Sequence, residues 1–418
     1  MSEEKRTARA VLVGLAESHI QMNSCERNLA ELEQLLNTAG GVAVAKVVQV
    51  KSTPDARTYI GKGKVAEVAE LCRALDADTV VFDIELSPSQ IRNLEEDIGC
   101  AEVIDRSMLV LDIFALHAVT GEGKLQVELA QLKYTAPRLI GKGTELSRQG
   151  GGIGSRGPGE SKLETDKRHL KERIRALEAA LREMESNRAT MRRSRDKSGV
   201  PSIAIVGYTN AGKSTLLNYL TDAGVLSEDK LFATLDPTTR RMTLPSGVEV
   251  LLTDTVGFIR NLPHHLVEAF TSTLDEVRYA DILLVVADAT SPDVQSEIEV
   301  TREVIASLGA KDTPVLYAYN KCDKNEGVGY VISGANTVFI SAKTGDGIDE
   351  LLTRLDRIVQ GSKRAYLLRF PYDAQGELNR LYGAYSVESV DYRDDGIYVH
   401  VSLDSKGAGR FGRFVCEE

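Results

Sequence analysis

The sequence predicts an α/β protein of several parts, on three observations. An apolar run, Ile203 to Val206, leads straight into Gly207-Tyr208-Thr209-Asn210-Ala211-Gly212-Lys213-Ser214-Thr215 and then into the helix-forming Leu216-Leu217-Asn218-Tyr219-Leu220. Residues 9–120 alternate short strand-like runs with amphipathic helices, the pattern of a parallel sheet covered by helices. Between these two regions, residues 122–199 carry a long heptad stretch and no strand pattern. The expected parts are therefore an N-terminal α/β subdomain (1–121), a projecting antiparallel helical hairpin (122–199), a phosphate-loop α/β domain (200–360) and a small C-terminal α+β domain (361–418).

In the N-terminal part, Arg9 to Leu15 reads as a strand. Ser24 to Leu36 reads as a helix with Leu29, Leu32, Leu35 and Leu36 on one face. Gly41 to Lys51 alternates as a strand, Val65 to Leu75 is helical, and Thr79 to Asp83 is a short buried strand. Ser87-Pro88-Ser89-Gln90 has the cap-plus-proline signature of a helix start, with Ile91, Leu94 and Ile98 as its apolar side. Ala101 to Asp105 closes the sheet, and Arg106 to Val119 is a further helix. Tyr59-Ile60-Gly61-Lys62-Gly63-Lys64 places a glycine-rich, basic turn at a helix N-terminus, but it lacks the third glycine and the acidic partner of a dinucleotide site. A phosphate-friendly or RNA-backbone turn is the better reading than a second nucleotide site.

In residues 122–199, Leu163, Leu170, Ile174, Leu177, Leu181, Met184 and Met191 share one heptad register. Ser161 with Glu164 supplies a capping box, and the helix from there to Lys197 extends roughly 55 Å. Upstream, Leu125, Leu129 and Leu132 predict a shorter helix ending near Pro137. At the tip of the hairpin lies Gln149 to Lys162, with six glycines among its first eleven residues, at Gly150, Gly151, Gly152, Gly154, Gly157 and Gly159. Such a run packs no core and is costly to order without a partner. Arg148, Arg156 and Lys162 flank it, and a backbone bare of Cβ atoms beside arginines suits the crowded polyanion of RNA. A flexible linker is the alternative, but linkers are not ordinarily presented at the end of a basic coiled coil.

The segment from Gly207 to Thr215 fits the G-x-x-x-x-G-K-[ST] pattern in the strand-to-helix context that gives the pattern meaning. Its glycines let successive N–H groups turn toward phosphate oxygens, Lys213 reaches the outer phosphates, and the Ser214 hydroxyl ligates Mg²⁺. Downstream, Asp254-Thr255-Val256-Gly257 follows a strand-like run; the Asp254 carboxylate serves Mg²⁺ and the Gly257 N–H serves the γ-phosphate. Asn320-Lys321-Cys322-Asp323 suits guanine: Asp323 accepts from the N1–H and exocyclic amine, Asn320 faces N7, and the Lys321 stem covers the base. Ser341-Ala342-Lys343 brings the Ala342 N–H to the guanine O6. This ordered set resembles the translation-factor-related GTPases, so residues 200–360 are expected to form a P-loop GTPase domain that binds GTP and GDP.

Phe258 stands where related GTPases carry a water-orienting glutamine, so hydrolysis by the chain alone should be slow. Asn210 stands where some GTPases bind K⁺, although an asparagine chosen for its tolerance of a tight turn explains it equally well.

Beyond the GTPase motifs, residues from Lys363 read as strand, helix, strand, turn and strand, ending in a basic-aromatic GAGRFGRF for which RNA contact is one reading and a plain surface tail the better one. Net charge is −10, yet Lys133 to Lys197 hold 17 Lys and Arg against 9 Asp and Glu, a local +8 that leaves the rest near −18. That asymmetry places a basic segment on an acidic body. The five cysteines show no C-x-x-C spacing, no run is long and apolar enough to span a membrane, and the first ten residues hold no signal-peptide core. A cytoplasmic monomer is expected.

Five stretches make the resemblance specific: Tyr59–Lys64, Leu125–Leu139, Gly150–Arg168, Phe232–Arg240 and Asp254–Ile259. Together they resemble the HflX-type GTPases over essentially the whole chain. The resemblance implies a ribosome-associated enzyme that attaches to the large subunit, directs the glycine-rich tip toward the peptidyl-transferase centre, and splits stalled or idle ribosomes under stress. Subunit assembly and a hibernation-type binding role are alternatives. It also implies that Phe232-Ala233-Thr234 opens the first switch, with Thr234 as its Mg²⁺ ligand and Thr238 or Thr239 as alternatives.

Overall fold

The structure is a computed structural model that describes residues 7–148, 158–221, 231–232, 236–260, 271–324, 336–361, 364–385, 387–403 and 405–416. Two compact units are present. The first takes in the chain to Met184 with segments from 228–236 and 257–273; the second takes in 185–227, 237–256 and the chain from Leu274.

In the first unit four parallel strands, β1 (Arg9–Ala16), β2 (Val42–Val50), β3 (Thr79–Phe82) and β4 (Glu102–Asp105), lie in the order β2-β1-β3-β4. Helices α2 (Lys62–Leu75) and α3 (Pro88–Ile98) bury Val65, Val68, Ile91, Leu94 and Ile98 against Val11, Val13, Val80 and Phe82. Strand residues alternate in direction, so Leu12 and Val81 serve the opposite face. Helices α1 (Met22–Thr38) and α4 (Arg106–His117) contact each other and the strands. Leu29, Leu32, Leu35 and Leu36 are all buried, as their spacing predicts. The start of α3 carries a full capping box: Gln90 N–H donates to Ser87 Oγ and Ser87 N–H to Gln90 Oε1.

Two helices then differ from expectation. Helix α5 runs from Gly121 to Arg148 and passes through Pro137 instead of ending there. Its opening turns are anchored by buried Gln126, Val127 and Ala130, and Pro137 is exposed, so the carbonyl that loses its N–H partner lies where water replaces it. Helix α6 runs from Pro158 to Ser198, so it begins at Pro158, three residues before the expected cap at Ser161. Along α6, Leu177 is buried and Leu170, Ile174, Leu181 and Met184 are half-buried among exposed neighbours. Two ion pairs tie the helices, Arg173 Nε and Nη2 to Glu128 at 2.7 and 2.9 Å and Lys133 Nζ to Glu178 at 2.7 Å. Exposed pairs of this kind add little stability. Of the predicted tip, residues 149–157 with Arg156 lie outside the described residues, as do the side chains of Arg148, Lys162, Leu163 and Met191.

The second unit holds a six-stranded sheet, β10-β9-β8-β5-β7-β6, from β5 (Ser202–Val206), β6 (Thr238–Thr243), β7 (Glu249–Asp254), β8 (Ile282–Asp288), β9 (Val315–Asn320) and β10 (Thr337–Phe339). All neighbours are parallel except β6 against β7. Helices α7 (Lys213–Thr221), α8 (Thr271–Arg278), α9 (Val294–Ser307) and α10 (Ile348–Gly361) accompany it. A smaller antiparallel sheet, β11 (Arg364–Phe370), β13 (Gly396–Leu403) and β12 (Val387–Arg393) in that order, pairs with α11 (Gln375–Ala384) and α12 (Ser405–Phe411).

The closing GAGRFGRF is not a surface tail. Phe411 is wholly buried, Phe414 stacks on Phe370 at 4.4 Å, and Val415 bridges to Leu368. The small sheet has too little area of its own to form a core, and these rings complete it. Among the described residues no helix is long and apolar enough to cross a membrane.

Candidate nucleotide-binding site

The glycine loop lies between β5 and α7, at the carboxyl end of a central parallel strand, where open α/β sheets bind ligands. Two glycines are obligatory there. A Cβ on Gly207 (φ +147°) would lie 2.1 Å from the Val286 carbonyl oxygen, and one on Gly212 (φ +93°) would lie 2.2 Å from Asn320 Nδ2. Asn210 sits in the left-handed region at φ 59°, which asparagine tolerates. That conformation is the tight turn the residue type suits. Tyr208, Thr209 and Ala211 are buried walls of the loop, and Thr215 continues into α7.

Lys213 is buried and donates from Nζ to the Tyr208 carbonyl at 2.9 Å. Burial lowers its pKa to about 8, with the Asp254 carboxylate pulling the other way. Asp254 ends β7, is fully buried, and accepts from Ser214 Oγ at 2.6 Å. A hydroxyl and one carboxylate side by side, with a lysine beyond, make a hard-oxygen pair that fits Mg²⁺, a cation that takes one or two protein oxygens and fills its remaining positions with phosphate and water. Thr255 is structural: its buried hydroxyl donates to the Ile205 carbonyl at 2.7 Å, and Val256 beside it is buried.

The base-reading residues gather at the ends of β9 and β10. Asn320 is buried, and its amide joins two loops: Nδ2 donates to the Ala211 carbonyl at 2.8 Å, and Oδ1 accepts from the Ala342 N–H at 2.9 Å. The Ala342 N–H, expected to meet guanine O6, is thus turned to Asn320, while Nδ2 carries a second hydrogen for a base nitrogen. Asp323 is exposed and accepts from Ser341 Oγ at 2.7 Å, which aligns its carboxylate. Lys321 holds φ 66° and pairs with Asp288 at 2.8 Å. Burial pushes the Asp288 carboxyl up, but Lys321 and Thr290 outweigh it and leave the pKa lowered. Cys322 donates its thiol to the Tyr319 carbonyl, and Lys343 is exposed.

The switch threonines separate. Thr238 and Thr239 belong to β6, opposite Asp254 and Thr253, and the Thr239 and Thr253 hydroxyls share a hydrogen bond of 2.9 Å. Ala233 and Thr234 lie outside the described residues.

Segments from both switch regions fold with the first unit, which sequence reasoning did not anticipate. Phe232, at φ 57°, sets its ring edge-on to Phe114 of α4 at 4.7 Å. Asp236 accepts from the Val119 and Thr120 N–H groups at 2.9 and 2.8 Å and from Thr120 Oγ1 at 2.5 Å, directly before α5. Phe258 and Ile259 are buried, and the backbone of Arg260 is held by Arg106 and Glu31. A buried phenyl ring neither donates nor accepts, so at Phe258 no side chain orients an attacking water.

Residues 26–115, 117–195 and 202–321 match the families described as GTP-binding GTPase N-terminal, GTP-binding GTPase Middle Region and 50S ribosome-binding GTPase. The protein named "GTPase HflX" in Lacrimispora saccharolytica is 51% identical over 385 residues, spanning 91% of this chain and 90% of its own length. The chain belongs to the HflX family of GTPases. The Escherichia coli GTPase HflX is 45% identical, with 88% of each chain covered. Among solved structures, a GTP-binding protein from Sulfolobus solfataricus in complex with GDP is 25% identical, with a TM-score of 0.44, covering 85% of this chain and 99% of that one. Membership of the HflX family makes the chain a GTP-binding enzyme that hydrolyses GTP.

Proposed function

We propose that this GTPase engages the large ribosomal subunit and splits or recycles stalled or idle ribosomes under stress. The observation that carries the reading is the match of residues 202–321 to the family described as a 50S ribosome-binding GTPase. In the same chain a glycine-rich basic stretch stands between α5 and α6. In this reading the four parts divide the work. Residues 200–360 turn over GTP, 122–199 present Gly150–Gly159 with Arg148, Arg156 and Lys162 to ribosomal RNA, and 1–121 and 361–418 frame them.

At the site, the N–H groups of Gly207 to Thr215 bind the phosphates, and Lys213 neutralises the outer ones. Ser214, Asp254 and Thr234 would hold Mg²⁺, which when bound would supply charge neutralisation at the phosphates. The Gly257 N–H orients the γ-phosphate, and Asp323 selects guanine. Since Phe258 orients no water, the ribosome or a segment rearranged on it completes the reaction. The direct test is sedimentation with separated subunits under a non-hydrolysable GTP analogue, GDP and no nucleotide. Co-sedimentation with large subunits, strongest with the analogue, is expected; equal recovery on both subunits in all three states would reject the proposal.

A further inference from the structure

The least expected charged group in the first unit is Arg106. It opens α4 at 1% exposure and makes three bonds: Nη1 to Asp83 Oδ1 at 2.6 Å, Nη2 to Glu31 Oε1 at 2.6 Å, and Nη2 to the Arg260 carbonyl at 2.8 Å. The same Glu31 oxygen accepts from the Arg260 N–H at 3.3 Å. One guanidinium and one carboxylate thus hold both backbone polar groups of a single residue, the third after Gly257 and the second after Phe258.

Stability is a poor explanation of this arrangement. Desolvating two acids and an arginine is costly, and apolar residues of the same volume would pack as well or better. What an ion pair provides and a leucine does not is a fixed position for a main-chain segment, because its hydrogen bonds are directional. The fixed segment begins with Gly257, whose N–H is the expected γ-phosphate donor, and misplacing such a donor by about 1 Å can cost on the order of a hundredfold in rate.

The geometry points to Arg106 and Glu31 as positioning residues for GTP hydrolysis: they hold the backbone at residue 260 and so set the stance of Gly257, three residues earlier in the same segment. This rests on the role given to Gly257 above. Asp83 is the internal control, since its carboxylate accepts from Arg106 Nη1, whereas the Arg260 carbonyl is held through Nη2.

The test uses the full chain with four substitutions, Glu31→Gln, Arg106→Met, Asp83→Asn and Gly257→Ala, each measured for GTP kcat and KM, fluorescent-GDP affinity and thermal melting. Glu31→Gln and Arg106→Met are expected to lower kcat at least tenfold with KM and GDP affinity within about twofold, while Asp83→Asn keeps kcat near the parent whatever it does to melting. Should Arg106→Met fail to fold, Glu31→Gln alone carries the test. An unchanged or raised kcat in Glu31→Gln, or losses that track melting across all the variants including Asp83→Asn, would overturn the inference. Normal turnover in Gly257→Ala would instead overturn the role given to Gly257. A loss there with normal Glu31→Gln would overturn only the positioning pair.

Discussion

Replacing Gly212 by alanine is the most economical probe of the nucleotide site, because one methyl tests two of its loops. The new Cβ would sit 2.2 Å from Asn320 Nδ2, and the backbone holds φ +93°, where an L side chain is strained. That conformation costs roughly 1–2 kcal/mol. The clash also displaces an amide making two buried hydrogen bonds, to the Ala211 carbonyl and from the Ala342 N–H. Each contributes about 1 kcal/mol net, and groups left unpaired cost somewhat more. The sum is about 3–4 kcal/mol, or at least a hundredfold in an equilibrium constant. It falls on the fold around the loop and on nucleotide binding together, since Asn320 sets both the phosphate loop and the base loop. Thermal melting and fluorescent-GDP titration of the full chain measure the two effects. A Gly212→Ala protein that binds GDP within threefold of the parent would refute the stitching role of Asn320.

Three other perturbations have defined outcomes. Asp323→Asn should weaken guanine nucleotides by on the order of 2–4 kcal/mol and shift preference toward xanthine nucleotides in a competition assay; an unchanged preference would remove Asp323 from the base site. Lys213, with a pKa lowered to about 8, loses its proton as pH rises through that value. Phosphate favours the charged amine, so binding should take up a proton there and GDP affinity should fall as pH climbs. Calorimetry about one unit above that pKa, in buffers of different ionisation enthalpy, should show proton uptake that disappears in Lys213→Ala. Replacing K⁺ by Na⁺ should leave turnover unchanged if Asn210 only forms its left-handed turn, whereas a marked fall would assign it to a cation.

Much of this fold is legible along the chain because its signals are local. Ser87-Pro88 starts α3, and Leu29, Leu32, Leu35 and Leu36 bury one face of α1. The phosphate loop is legible for a different reason: phosphate cradling demands particular residue types in one contiguous stretch. The misses share a cause, which is that the deciding partner is distant in sequence. Pro137 ends a helix by local rules, yet earlier turns of α5 are held by burial and the proline faces solvent. Phe411 reads as a tail residue until Phe370 and Tyr385 close around it. Arg106 reads as an ordinary helix opener, since Glu31 and Arg260 lie 75 and 154 positions away. Thr239 becomes a sheet residue only once β6 pairs with β7.

The central claim is that hydrolysis depends on the large ribosomal subunit and that the glycine-rich tip transmits this dependence. GTP turnover by the parent chain and by a variant lacking Gly150 to Gly159, each with and without purified large subunits, tests it most directly. The parent alone should turn over slowly, because Phe258 orients no water, and large subunits should raise the rate strongly. The deletion variant should bind GTP as the parent does, keep the slow basal rate, and lose the stimulated one. Full turnover without ribosomes, or equal stimulation of the deletion variant, would contradict the account.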